Sequence, residues 1–167
     1  MIRLTILQVL ITSILLSNNN HPIILVHGFL GWGKEEVGDK NYWGGESDIE
    51  KYLNDKGYQV HSVSLGPVSS TYDCAIETFY QIRGGQVDYG HGHSERYKII
   101  RRPEGKAYKG LYPEWNEDNP VHLVGYSFGG LTNRMLLHLL NSTFIKSDNC
   151  LLYTSPSPRD ATLSRMP

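Results

Sequence analysis

The chain has 167 residues, of which 40% are hydrophobic and 20% are charged, and its formal net charge is −1. This length predicts about one domain, and the composition favours a packed core over disorder. The chain has no basic excess, so we expect no binding to nucleic acid. Its two cysteines cannot form a disulfide framework.

The first twenty residues have the pattern of a secretory signal. A short basic start precedes an apolar run at residues 4–16, and the polar residues 17–20 follow. Because the run is too short to span a bilayer, it predicts export without a transmembrane anchor. We therefore expect residues 1–20 to be a cleaved signal peptide and the protein to be secreted. A buried first strand or helix is the alternative, since no clean cleavage site follows.

The C-terminal stretch differs in character from the rest of the chain. Residues 150–160 resemble the translation of a transposase sequencing adapter, and the last five residues resemble a flow-cell primer in the same frame. We therefore expect residues 150–167 to be a non-native tail, with the gene cut near Asn149. The alternative is a natural Ser/Pro linker. Without the tail only Cys74 remains, and we expect it to be an inert buried residue.

Between these segments, strand-like and helix-like patterns alternate. Strands are predicted at residues 22–26, 58–64 and 121–124, and helices at 48–56, 71–83 and 131–140, the first capped by Ser47 and the second by Ser70 or Thr71. Residues 86–119 have no sustained period and predict a long loop. This alternation predicts an α/β fold with a mostly parallel sheet flanked by helices.

A Gly-x-Ser-x-Gly motif lies between the third strand and the last helix. A serine on such a tight turn has strained backbone geometry, and the positions two before and two after it pass close to other backbone. Those positions are Gly125 and Gly129. The motif therefore predicts that Ser127 is a nucleophile, with a structural turn and capping serine as the alternative.

A second segment agrees with this interpretation. His27-Gly28-Phe29 follows the first strand, where acyl transfer needs a backbone N–H group opposite the nucleophile. We expect Phe29 and Phe128 to supply the two oxyanion-hole N–H groups. His27 is expected to order its loop rather than to act as a base.

The general base is missing from this stretch of sequence. Only His138 follows Ser127, and it lies on the helix that leads away from the serine. A catalytic acid and histidine are therefore expected downstream.

At these motifs the chain resembles a known family. It is similar, over residues 21–145, to the secreted triacylglycerol lipases of the staphylococcal and thermophilic-bacillus group, through residues 27–33, 42–45, 66–73, 84–90 and 125–130. Tyr126 stands where those lipases usually carry histidine. The resemblance implies that residues 21–149 are an incomplete α/β-hydrolase domain. It also implies hydrolysis of lipid esters at a lipid–water interface through an acyl-serine intermediate, with a lid beyond this segment.

The same resemblance implies a structural zinc ion held by two Asp and two His, although the chemistry itself needs no cofactor. Asp73 matches the first Asp and His93 the first His. The second His does not carry over, because that stretch reads Tyr97-Lys-Ile-Ile-Arg-Arg102. His91 could substitute for it.

Other functions stay open at this stage. A phospholipase or an acyltransferase would use the same fold and the same acyl-enzyme. A secreted binding protein could keep the fold without catalysis, and a truncated product would have no function.

Overall fold

Three short parallel strands form the centre of the structure, a computed structural model that describes residues 20–34 and 36–141. In chain order the elements are β1 (Ile23–Val26), α1 (Ile49–Asp55), β2 (Val60–Ser62), α2 (Thr71–Arg83), β3 (Gly85–Gln86), α3 (His91–Tyr97), β4 (Ala107–Tyr108), β5 (His122–Gly125) and α4 (Phe128–Asn141).

The sheet has the strand order β2-β1-β5, and β1 pairs in parallel with both neighbours. Ile24 and Val26 of β1 are fully buried, as expected for a central parallel strand. The predicted α/β fold with a parallel sheet is therefore confirmed, although β2 is shorter than the predicted 58–64. The three strands end on the same side of the sheet, where the serine turn follows β5.

Helix α2 is the main buried helix of the described residues. The Ser70 hydroxyl accepts a hydrogen bond from the Asp73 N–H at 3.1 Å, and Gly84 ends the helix with φ 91°. Both ends therefore match the sequence prediction. The helix packs against α4. Its buried residues include Glu77, whose carboxylate is also buried.

The predicted cap of α1 was wrong by one residue. Asp48 caps the helix and accepts from the Lys51 N–H at 2.8 Å, whereas Ser47 donates its N–H to the carbonyl of Gly44 in the preceding turn. No residue of α1 is buried, and Tyr52 is 61% exposed, so this helix covers no core among the described residues.

Helix α4 begins at Phe128, earlier than the predicted residue 131. The helix starts directly after Ser127 because the serine turn joins β5 to its first residue. Its buried face includes Leu136 and Leu139 together with the polar Thr132 and Asn133, whereas Leu131 is exposed. Gly129 of α4 lies against the Val26 carbonyl at the end of β1.

The predicted long loop contains short regular elements. β3 and β4 form an antiparallel pair, and α3 lies between them. Two-residue strands and a seven-residue helix give too few periods for a sequence pattern to detect. This segment is instead organised by ion pairs with buried carboxylates.

One of those carboxylates belongs to Asp88, which is fully buried. It accepts hydrogen bonds from the guanidinium of Arg101 at 2.7 and 2.9 Å, from Arg102 Nε at 2.9 Å and from the Gly90 N–H at 2.9 Å. Burial opposes the charge, but these donors outweigh it and lower the pKa of Asp88. The carboxylate therefore joins the chain before α3 to the chain after it.

The other carboxylate belongs to Glu77 of α2. It accepts from Tyr89 Oη and from Lys106 Nζ, each at 2.6 Å. Burial and the adjacent Glu77 charge raise the pKa of Tyr89, which keeps its hydroxyl protonated as a donor. The pair anchors the segment before β4 to the core helix.

The predicted signal peptide and tail lie outside the described residues, apart from Asn20. Within the described ranges, none of the helices combines the length and apolarity needed to cross a membrane.

Candidate active site

Ser127 lies on the turn that joins β5 to α4. Its φ is 54°, in the left-handed region that residues other than glycine rarely adopt, and its side chain is exposed. Such a conformation costs on the order of 1–3 kcal/mol and persists only where the surrounding structure holds it. The Gly129 N–H donates to the Tyr126 carbonyl at 2.9 Å, and the Gly130 N–H donates to the Ser127 carbonyl at 3.1 Å. These bonds hold the strained turn.

The two motif glycines lie where backbone meets backbone. A Cβ atom on Gly125 would lie 2.5 Å from the carbonyl carbon and oxygen of Gly129. A Cβ atom on Gly129 would collide with the carbonyl oxygen of Val26 and would lie 2.7 Å from that of His27. The close approach predicted from the motif is therefore present, and it brings the serine turn against the end of β1.

The loop after β1 also lies against Ser127. A Cβ atom placed on Gly28 would be 3.1 Å from Cβ of Ser127 and 3.0 Å from the carbonyl oxygen of Tyr126. The rings of Phe29 and Phe128 meet edge to face, with centroids 6.5 Å apart. The residues that the sequence assigned to the oxyanion hole are thus neighbours.

The backbone N–H groups of Phe29 and Phe128 are available to a ligand. Among residues 20–34 and 36–141, neither group donates a hydrogen bond. The loop of Phe29 is strained as well, because Leu30 has φ 55°. Strained residues and unpaired donors at one place are characteristic of a site that binds a negatively charged oxygen.

His27 is buried, and both ring nitrogens are engaged. Nε2 lies 3.0 Å from the N–H group of Leu65, and Nδ1 lies 3.0 Å from the carbonyl oxygen of Gly28. It therefore ties the loop after β1 to the loop after β2, which agrees with an ordering role.

No histidine base reaches the serine within the described part of the chain. There, the Ser127 side chain has no hydrogen bond to any histidine. His138 is exposed on α4, eleven positions after Ser127 in sequence. The catalytic acid and histidine expected downstream stay a prediction.

An aromatic cavity of about 600 Å³ opens beside the serine turn. It is lined by Tyr126, Tyr42, Trp43 and Trp32, and the Tyr42 hydroxyl accepts from the Gly28 N–H at 3.0 Å. Tyr126 is 63% exposed, and its ring meets the Tyr42 ring edge to face with centroids 6.4 Å apart. The sequence analysis did not predict this cavity. Trp32, Tyr42 and Trp43 lie within one glycine-rich loop, and this group of aromatic residues was the signal that could have indicated it.

Asp73 and His93 approach each other as predicted. Nε2 of His93 lies 2.8 Å from Oδ1 of Asp73, and the Tyr72 ring stacks on the imidazole with centroids 4.0 Å apart. His91 does not join them, because its Nε2 lies 3.3 Å from a carboxylate oxygen of Glu95. No group of three or more metal-ligating side chains occurs within residues 20–34 and 36–141. The described residues thus bring together one carboxylate and one imidazole, which are side-chain types that zinc can bind.

Cys74 is buried, with its sulfur 3.9 Å from the carbonyl oxygen of Gly66. Burial, with added repulsion from Glu77, raises the pKa of the Cys74 thiol to about 12. A thiol that stays protonated is a poor nucleophile, so the structure agrees with an inert role.

The structure combines a parallel sheet flanked by helices with a positive-φ serine on the turn from β5 to α4, which defines it as an α/β protein. Residues 19–147 match the family model described as "Lipase-like, C-terminal domain", and the chain belongs to that family.

Individual relatives agree with this assignment. Lipase 2 of Staphylococcus aureus is 43% identical over 131 residues, covering 74% of this chain and 18% of that protein. Lipase 1 from Pelosinus fermentans matches with TM-score 0.76 and 42% identity, covering 83% of this chain and 39% of that one. EstA from Clostridium botulinum matches with TM-score 0.70 and 43% identity, covering 73% and 28%. The chain thus spans about a fifth of the length of the curated relatives that it matches.

Proposed function

We propose that this chain is part of a secreted lipase or carboxylesterase of the α/β-hydrolase fold, with Ser127 as the nucleophile. The observation that carries the proposal is the exposed, positive-φ Ser127 beside two N–H groups, of Phe29 and Phe128, that have no acceptor in the described residues. The names of the relatives, which are lipases and an Est-type protein, support ester hydrolysis.

The proposed reaction proceeds in two steps. Ser127 Oγ bonds to the ester carbonyl carbon while a base takes its proton, and the Phe29 and Phe128 N–H groups stabilise the developing oxyanion. The carbon–oxygen bond to the alcohol then breaks, and the alcohol leaves with that proton. Water next attacks the acyl-serine, which releases the carboxylic acid and restores Ser127. We assign the base to a histidine, oriented by a carboxylate, outside the described residues.

The aromatic cavity supports an apolar substrate. Its four aromatic side chains, Trp32, Tyr42, Trp43 and Tyr126, would stabilise a hydrocarbon chain or an apolar alcohol by burying it. A lipid ester at a lipid–water interface is therefore the substrate class that we propose.

A fluorophosphonate probe tests the nucleophile in the full-length protein. We expect one adduct, on Ser127, and we expect S127A to lose both the adduct and roughly 10⁴-fold or more of the hydrolysis of a nitrophenyl butyrate. S47A is the matched control, because Ser47 is exposed on the loop before α1. An adduct on another serine, or hydrolysis that survives in S127A, would contradict the proposal.

Assays of the full-length protein with different esters distinguish a lipase from the alternative activities. Release of fatty acid from tributyrin emulsion supports a lipase, whereas release only from phosphatidylcholine vesicles, or acyl transfer to an added alcohol in place of water, identifies the alternatives. Covalent labelling without turnover of any ester would favour a protein that has kept the fold without catalysis.

We also propose that residues 1–20 are removed on export and that residues 150–167 are a non-native tail. Support comes from the charge and hydropathy pattern of the N-terminus and from the adapter-like sequence of the tail. Sequencing of the gene and N-terminal sequencing of the exported product test both points. A cytoplasmic product that still begins at Met1 would contradict export.

A structural zinc ion is the remaining proposal. Asp73 and His93 would provide two ligands, and the stacked Tyr72 ring would orient the imidazole. The ion would tie α2 to α3, and no step of the chemistry needs it. Metal analysis of the full-length protein should find one zinc per chain, reduced in H93A and unchanged in H91A. Absence of zinc from the wild type would contradict the site.

A further inference from the structure

Both peptide groups that flank Gly28 are held by side chains. The N–H group of Gly28 donates to the Tyr42 hydroxyl at 3.0 Å. The carbonyl of Gly28 belongs to the same peptide as the N–H group of Phe29, and it accepts from the Gly31 N–H at 3.0 Å. Nδ1 of His27 lies 3.0 Å from that same carbonyl oxygen.

These partners define the protonation of His27. A carbonyl oxygen only accepts hydrogen bonds, so Nδ1 must carry the proton that is donated to Gly28. A backbone N–H only donates, so Nε2 must be the unprotonated acceptor for Leu65, at 3.0 Å. Both bonds are therefore satisfied together only by the neutral ring with its proton on Nδ1.

The orientation of Phe29 follows from the planarity of the peptide. In a trans peptide the N–H points opposite to the C=O. The Gly28 carbonyl faces His27 and Gly31, so the Phe29 N–H faces away from them, and it has no acceptor among the described residues. Gly31 is required for this arrangement, because a Cβ there would lie 2.5 Å from Nδ1.

We propose that His27 is a positioning residue for catalysis: its Nδ1–H group holds the Gly28–Phe29 peptide so that the Phe29 N–H is presented to the oxyanion formed on Ser127. This inference rests on the proposed function, since it assigns Phe29 to the oxyanion hole. His27 acts through Phe29 and does not touch the substrate. It goes beyond loop ordering because it assigns separate tasks to the two ring nitrogens.

Two amide variants of the full-length protein separate those tasks. In H27N the side-chain amide can occupy the position of Nδ1 and donate to Gly28, without reaching Leu65. In H27Q it can reach the position of Nε2 and accept from Leu65, without a donor at Gly28. Each variant loses one buried hydrogen bond, so each controls for the structural loss in the other.

The expected result is a difference in kcat. Loss of one oxyanion donor costs roughly 10²–10³-fold in kcat. We expect H27Q to lose about 10²-fold in kcat with little change in KM, and H27N to stay within about tenfold of the wild type. Equal kcat values in the two folded variants, or a loss confined to KM, would overturn the proposal.

A measurement on the wild type covers the case in which the variants do not fold. Nitrogen NMR of the labelled histidine ring reports which nitrogen carries the proton. A neutral ring protonated on Nδ1 supports the proposal, and protonation on Nε2 overturns it. If the folded wild type hydrolyses no ester, the proposed function fails instead, which is a separate outcome from either result above.

Discussion

At the scale of single residues, the site depends on how closely backbones approach. Gly129 lies against the carbonyls of Val26 and His27, and Gly28 lies against Ser127. The loop after β1 and the turn after β5 can meet only because these positions have no side chain. The positive φ angles of Ser127 and Leu30 are the conformational cost of bringing these two segments together.

Two adjacent glycines of α4 provide a matched pair of substitutions. A Cβ on Gly129 would collide with the Val26 carbonyl oxygen, whereas the nearest atom to a Cβ on Gly130 is 3.9 Å away. We expect G129A to lower stability by about 2 kcal/mol or more and to abolish activity. G130A should be neutral or stabilising by up to about 1 kcal/mol, because alanine is the better helix former. Urea unfolding of the full-length protein measures both, and equal stability of the two variants would contradict the packing described.

At the scale of elements, the buried ion pairs organise the segment between α2 and β5. Asp88 contacts two arginines that lie after α3, and Glu77 contacts Lys106 before β4. Removal of one partner from such a group leaves a buried charge uncompensated. These ion pairs add to the buried apolar side chains of the segment, which include Val87 and Trp115.

The lowered pKa of Asp88 predicts how stability depends on pH. A carboxyl whose pKa is lower in the folded state than its unfolded value of about 3.9 stabilises the fold above that value, and the contribution is lost as the pH falls through the folded pKa. We therefore expect D88N to be less stable than the wild type above about pH 5, with the difference shrinking below about pH 4.

Urea unfolding from pH 3 to pH 7 tests this dependence. The control is D55N, because Asp55 pairs with Lys51 on the exposed face of α1 and should change stability by less than about 1 kcal/mol. A D88N difference that stays constant over this range would contradict the assigned cause.

The sequence predicted the elements with strong local signals. β1 is a continuous apolar run, and α2 has both a serine cap and a terminal glycine, so their existence followed from pattern alone. The serine turn and its two glycines were predicted for the same reason. The Asp73–His93 contact was expected from the resemblance and is present.

Other features depend on contacts that no local pattern records. On α4 the polar Thr132 and Asn133 are buried beside Leu136 and Leu139, and a hydropathy pattern does not predict buried polar residues at such positions. The ion pairs of Asp88 and Glu77 join residues far apart in sequence. The cavity at Tyr42 and the two bonds of His27 likewise require the fold before they can be recognised.

At the scale of the whole molecule, the sheet has an unpaired edge within the described residues. β5 pairs on one side with β1, and on its other side the described ranges contain no strand. Val124 is 43% exposed there, and Leu131 and Tyr126 are exposed as well. In proteins with a parallel sheet, both faces of the sheet are normally covered by other parts of the chain.

The exposed edge of β5 predicts how residues 20–141 behave when they are expressed without the rest of the protein. Expressed alone, residues 20–141 should aggregate, because the β5 edge and the nearby apolar side chains are open to other copies. They should also have no esterase activity, because no histidine base reaches Ser127 within the described residues. Size-exclusion chromatography with light scattering and a nitrophenyl ester assay test this. A monomer with cooperative unfolding, or enzymatic turnover abolished by S127A, would contradict it.

In the proposed function, Ser127 bonds to the substrate while the Phe29 and Phe128 N–H groups hold the oxyanion. A crystal structure of the full-length protein with a phosphonate bound to Ser127 tests it directly. We expect one phosphonyl oxygen to lie about 2.7–3.1 Å from both the Phe29 and the Phe128 backbone nitrogen atoms. A phosphonate bonded to another side chain, or an oxygen directed away from these two nitrogen atoms, would contradict it.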